Sequence, residues 1–189
     1  MTKLRQIVNH PSLVFADYTK ESSKFNDILE QWNVIRKSGH KALFFSSFVQ
    51  HLSLFRTQFQ KEQQQFSWLT GDLQAKERQR QIEQFEANEA IQSFLISIKS
   101  GGTGLNLTAA DYVFILDPWW NPTTEQQAIA RAQRIGQDKN VIAIKFITKD
   151  SIEEKILKLQ QRKSKLAKDI IENVNRGGFT TNDIEFLLE

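Results

Sequence analysis

The chain contains no cysteine, one methionine, three histidines, three prolines and eight glycines in 189 residues. Without thiols there are no disulfides and no thiolate metal sites, and a reducing compartment is compatible. His10, His40 and His51 do not fall at metal-ligand spacing. His10 precedes Pro11 and reads as a packing or turn residue. No apolar run reaches the ~18 residues of a membrane span. The amino-terminal MTKLRQIVNHP lacks the apolar core of a signal peptide. A soluble intracellular protein with no membrane partner is the expectation. Two phosphate-binding signatures are missing as well. GxxxxGK[ST] occurs nowhere, and Gly102-x-Gly104 lacks the third glycine of a dinucleotide fingerprint because Leu107 stands there. No DExx acidic pair is available to hold Mg²⁺.

What is present is globular. Hydrophobic residues make up 40% and aromatics 11%, with 14 phenylalanines, enough for one domain with a substantial core. The net charge of +3 permits nucleic-acid binding without arguing for it. Helical spacing is expected over residues 2–9, from Phe25 to Ile35 with a stop at Gly39, from Phe48 to Phe59, and over 75–87. Short apolar runs at 41–47, 66–69, 94–98, 112–117 and 141–147 read as strands. A further helix should start near Thr123, where Thr123-x-x-Gln126 can form a capping box. Alternating strands and helices predict an α/β fold, a parallel sheet with helices on both faces, whose ligands meet the carboxyl ends of the strands. From Ser151, with a second capping box to Glu154, an amphipathic helix carries Ile152, Ile156, Leu159, Leu166 and Ile170 on a narrow stripe among many lysines and arginines. That basic face is either solvated surface or a DNA site. Residues 1–150 and 151–189 are thus expected to differ in character, as a lobe and a helix with a tail. No internal repeat or low-complexity linker is evident.

The informative chemistry lies between Ser97 and Gln137. Lys99-Ser-Gly-Gly-Thr-Gly104 is either a tight strand-to-helix turn or a loop whose amides can approach a phosphate. Asp117-Pro-Trp-Trp-Asn-Pro122 places two tryptophans after an acidic strand end. One is expected in the core and the other, Trp120, at the surface. Gln127, Arg131 and Arg134 stand at i, i+4 and i+7, which puts them on one face of a helix whose other positions are small and apolar. Two guanidiniums presented outward in this way would suit phosphate oxygens, including charge developing on a transferred γ-phosphate.

These segments resemble the second RecA-like (P-loop NTPase-type) lobe of the SWI/SNF-type ATPases of helicase superfamily two. LRQIVNHPSLV resembles the lead-in to that lobe, KALFFSSFVQHLSLF its fourth motif, and WLTGDLQAKERQRQIEQFE the segment with a glycine turn and a helix-borne arginine. SIKSGGTGLNLTAADYVFILDPWWNP resembles motif five, QQAIARAQRIGQ motif six, and IEEKILKLQQRKSKLAKDII the brace helix. Gln133 and Ser100 replace the family's usual histidine and alanine.

The resemblance implies paired arginine fingers at Arg131 and Arg134, and a nucleotide-facing surface at Gly102, Gly104 and Gln127. It implies duplex-DNA contacts at Ser46, Arg78, Lys99, Ser100, Gly101 and Trp120. No metal ligand is assigned: ATP and Mg²⁺ would be held mainly by an amino-terminal RecA-like lobe of the same protein, absent from this chain. The chain is accordingly expected to be a monomeric fragment, inactive alone, of a DNA-dependent ATPase that translocates on double-stranded DNA. It would reside in the cytoplasm on the nucleoid of a prokaryote, or in a nucleus. The alternative is a helicase-like module that binds nucleic acid without turning over ATP.

Overall fold

The computed structural model describes residues 1–100, 105–133 and 139–175, with side chains as far as residue 165. Five strands form one sheet: β1 Ala42–Ser46, β2 Phe66–Leu69, β3 Ser93–Ser97, β4 Tyr112–Ile115 and β5 Ile142–Lys145. Their order is β2-β3-β1-β4-β5, and each neighbouring pair is parallel. The helices are α1 Thr2–Asn9, α2 Ser23–Lys37, α3 Val49–Lys61, α4 Ala75–Ala87, α5 Pro122–Ile129 and α6 Ile152–Asn175. The expected parallel α/β architecture is therefore present.

Strand side chains alternate between faces, so a strand buried on both sides needs apolar residues throughout. β1 does this with Ala42 and Phe44 on one face and Leu43 and Phe45 on the other, all fully buried. The first face packs under α2 and α3 through Ile28, Trp32, Leu52, Phe55 and Phe59. Its centre is aromatic: the Phe44 ring lies 4.8 Å from Phe114 and 5.3 Å from Trp32, the latter edge-on. The other face receives Phe85 of α4 and Ala128 of α5.

Two caps differ from expectation. α5 begins one residue early, because Asn121 Oδ1 accepts from the Thr123 amide at 3.1 Å and Pro122 suits the first helical position. At α6 the Ser151 hydroxyl accepts from the Glu153 amide at 3.1 Å. Glu153, not Glu154, turns back, accepting from the Thr148 amide at 2.9 Å and from Lys24 Nζ at 2.6 Å. Glu153 is fully buried, so the cap also ties α6 to α2.

Phe44→Ala should reduce the unfolding free energy by about 3–5 kcal/mol, the range for a deleted core aromatic. Ile142→Thr, on the exposed edge strand, should change it by about 0.5 kcal/mol or less. Urea unfolding of both variants checks the contrast.

Candidate functional site

The chain leaves β1, β3 and β4 at the same edge of the sheet, and there it exposes or buries its polar residues deliberately. Asp117, just past β4, is fully buried. The Ser46 hydroxyl donates to its Oδ2, and the Ser47 amide donates at 3.1 Å to Oδ2 and 3.2 Å to Oδ1. Arg5 of α1 donates from Nη2 to Oδ1 at 3.2 Å and to the Pro118 carbonyl at 2.8 Å. His51 of α3 lies 4.0 Å away and is fully buried, with no hydrogen bond to either ring nitrogen. Burial pushes the Asp117 carboxyl up, but the His51 ring and the Ser46 and Ser47 donors outweigh it and hold the group below the ordinary carboxylate range. Burial holds the His51 ring below its ordinary value.

Beside this hub the Asp117–Pro122 loop crosses to α5. Glu125, almost wholly buried, accepts from the Trp119 amide at 2.6 Å and from Gln160 of α6 at 2.6 Å, and it pairs with Lys145. Gln160 also donates to the Trp119 carbonyl. Beyond α5 the Arg131 carbonyl accepts from the Leu107 amide at 3.0 Å. The segment that follows the glycine run is thereby joined to the turn that carries Arg131, and Leu105, Leu107, Ala128 and Ala132 pack behind the junction.

Two expectations are corrected here. Gln127 and Arg131 do not ride one helix, since α5 ends at Ile129 and Arg131 sits in the next turn, its carbonyl bound to Leu107. Gln127 is exposed, whereas Arg131 is only 8% exposed instead of pointing outward. Ser46 is the second correction: it is fully buried, its hydroxyl spent on Asp117 and accepting from the Phe48 amide at 3.0 Å, so it presents nothing to a ligand. Arg78 and Ser100 are brought together, with Arg78 Nη2 donating to the Ser100 carbonyl at 2.8 Å. The Ser100 side chain is buried against Ser97, their hydroxyls 2.7 Å apart. Lys99 is exposed. Both tryptophans are half-buried, with Trp119 packed on the core. Gly101, Gly102, Gly104 and Arg134 lie outside the described residues.

The sequence pattern described as the helicase conserved C-terminal domain matches residues 23–136. The chain belongs to that family, in its SWI2/SNF2 branch. It is 39% identical over 146 residues to the DNA repair protein RAD5A of Arabidopsis thaliana, covering 77% of this chain and 14% of that protein. It is 38% identical over 181 residues to the putative ATP-dependent helicase/translocase YwqA of Bacillus subtilis, covering 92% of this chain and 19% of that one. The fold of the Sulfolobus solfataricus SWI2/SNF2 ATPase core domain superposes with a TM-score of 0.75 at 34% identity, over 90% of this chain and 35% of the other. The chain thus spans a fifth or less of the length of these two relatives.

Arg5, Glu125 and Gln160, which the sequence analysis did not single out, stand in helical segments and prove to be buried. Only their burial marks them, although Arg5 does sit in the lead-in segment quoted for the resemblance.

Both titrations predict acid sensitivity of the same sign. Between the two values for His51, the unfolded ring binds a proton that the folded ring refuses, so stability falls as pH drops below ~6.5. The stability contributed by ionised Asp117 is present above its ordinary range and is lost as pH falls through its lowered folded value. His51→Gln should therefore flatten the decline just below neutrality, and Asp117→Asn the decline at acid pH. Asp117→Asn should also cost about 3–5 kcal/mol at pH 7 by leaving Arg5 buried against a neutral partner. Urea unfolding titrated with pH checks all three.

Proposed function

We propose that this chain is the second motor lobe of a DNA-dependent ATPase that translocates along duplex DNA. The observation that carries the reading is the junction of Leu107 with Arg131 at 3.0 Å. It sets the limb leaving the glycine run and the arginine turn side by side at the carboxyl edge of a parallel sheet, where α/β folds meet their ligands. ATP supplies a transferable γ-phosphoryl group, and Gln127, Arg131 and Arg134 with Gly102 and Gly104 are the residues of this lobe that would face it. Arg131 stabilises charge on that group once lobe closure turns its side chain outward. Among the described residues no group of three or more acidic or histidine side chains could hold a metal. Mg²⁺ and most nucleotide contacts belong to the partner lobe, and the isolated chain is inactive.

Exposed Lys99, half-exposed Trp120 and the Arg78-anchored Ser100 are the described residues of the DNA-facing strip, and Gly101 is the further residue assigned to it. Contacts of this kind to phosphates position a protein without reading sequence. The compartment follows the DNA: the nucleoid of a prokaryote or a nucleus.

The burial of Arg131 favours a second reading, a lobe that binds nucleic acid without supporting turnover. ATP hydrolysis by the complete two-lobe protein, with and without duplex DNA, separates the two. On the motor reading, DNA stimulates hydrolysis and Arg131→Ala lowers it by about a thousandfold or more with nucleotide binding retained. The 189-residue chain alone hydrolyses nothing above background. Turnover unmoved by DNA or by the substitution would transfer the lobe to the second reading. Separately, Lys99→Ala should reduce the dependence of duplex affinity on salt by the equivalent of about one phosphate contact, read from the slope of log affinity against log salt.

A further inference from the structure

We propose that Arg5 is a positioning residue for DNA engagement: its buried guanidinium clamps the Trp119–Trp120 loop from α1, while Gln160 clamps it from α6. The inference rests on the reading that this loop meets duplex DNA. Both residues lie outside the matched segment 23–136, one on each side.

The loop begins beyond the sheet ladder, whose last β1–β4 pair is Phe45 with Ile115. Side chains from distant elements hold it instead. Arg5 Nη2 donates to the Pro118 carbonyl at 2.8 Å, to Asp117 Oδ1 at 3.2 Å and to Ser47 Oγ at 3.1 Å. Its guanidinium carbon lies 5.0 Å from the Phe48 ring centre and 5.7 Å from the Trp119 ring centre. One planar cation therefore joins the exit of β1, the exit of β4 and the first tryptophan. On the other side, Gln160 donates to the Trp119 carbonyl and to Glu125 Oε1, which itself accepts from the Trp119 amide. With Pro118 and Trp119 fixed at the backbone, Trp120 is presented in one orientation. Arg5 is too buried to touch DNA. Its effect on DNA runs through the loop, by removing the ordering entropy that a free loop would surrender on binding.

The test uses the 189-residue chain with two readouts: amide hydrogen exchange of residues 119–121, and binding of a short fluorescein-labelled duplex across a salt series. Arg5→Ala should speed exchange in the loop while the β1 and β3 amides stay protected. It should weaken duplex binding by about tenfold with an unchanged salt slope, because no phosphate contact has been removed. Arg5→Lys keeps a cation beside Asp117 and should recover most of both effects. Gln160→Ala leaves the Arg5–Asp117 pair intact and should loosen the same loop, so it carries the test if Arg5→Ala does not fold. A folded variant whose loop exchange is unchanged would overturn the clamp. Faster exchange with duplex affinity unchanged would overturn its role in DNA engagement. If the unsubstituted chain binds no duplex, the DNA reading of the loop fails and that role falls with it, while the exchange data still decide the clamp.

Discussion

A carboxylate at the end of an interior strand is a constraint that its neighbours must meet. Asp117 has no access to water, and an unpaired buried charge of this kind costs several kcal/mol. Three elements answer it: β1 with Ser46, the turn after it with the Ser47 amide, and α1 with Arg5. The same contacts settle where the chain goes next. Because Arg5 also holds the Pro118 carbonyl, the loop to α5 leaves the sheet in a fixed direction, and the tryptophans and the arginine turn follow from it.

Two more ion pairs, one buried and one with an exposed lysine, follow toward the carboxyl-terminal end. Lys24 meets Glu153 at 2.6 Å, and Lys145 meets Glu125. Replacing such pairs with apolar residues is often neutral or stabilising, so their value in a fold is better sought in geometry than in stability. Here each joins α5 or α6 to another element, and α6 is tied to the lobe at Glu153, Ile156 and Gln160 rather than lying as a free amphipathic helix. On the proposed motor reading, a lobe that moves against a second lobe needs its own parts to move together, and these pairs join α5 and α6 to the sheet and to α2.

The strands were legible because each is short, apolar and bounded by turn residues, and the order of strands and helices alone required a parallel sheet. Phe44-Phe45 and Phe94-Leu95-Ile96 suited strands covered on both faces, and they are buried in β1 and β3. The glycine run and the Trp-Trp loop were legible as unusual segments at strand ends. Helix limits were less so. Gln127 and Arg131 kept helical spacing in the sequence, yet α5 stops at Ile129 and the Leu107 amide takes the Arg131 carbonyl. Local periodicity does not register a hydrogen bond that arrives from 24 residues away.

The sequence by itself determined the fold class and the family, and it pointed to the edge of the sheet where the candidate site is proposed, since these depend on patterns local to each segment. The tertiary structure decided which polar residues are available there. Ser46 and Arg131 have the right chemistry for phosphate contact but are buried in this conformation, one on Asp117 and one behind the Leu107 junction. Arg5, from the far end of the chain, became the residue that organises the loop. Burial and charge pairing join residues more than a hundred positions apart, and the free energy of a buried charge depends on those partners, not on its neighbours along the chain.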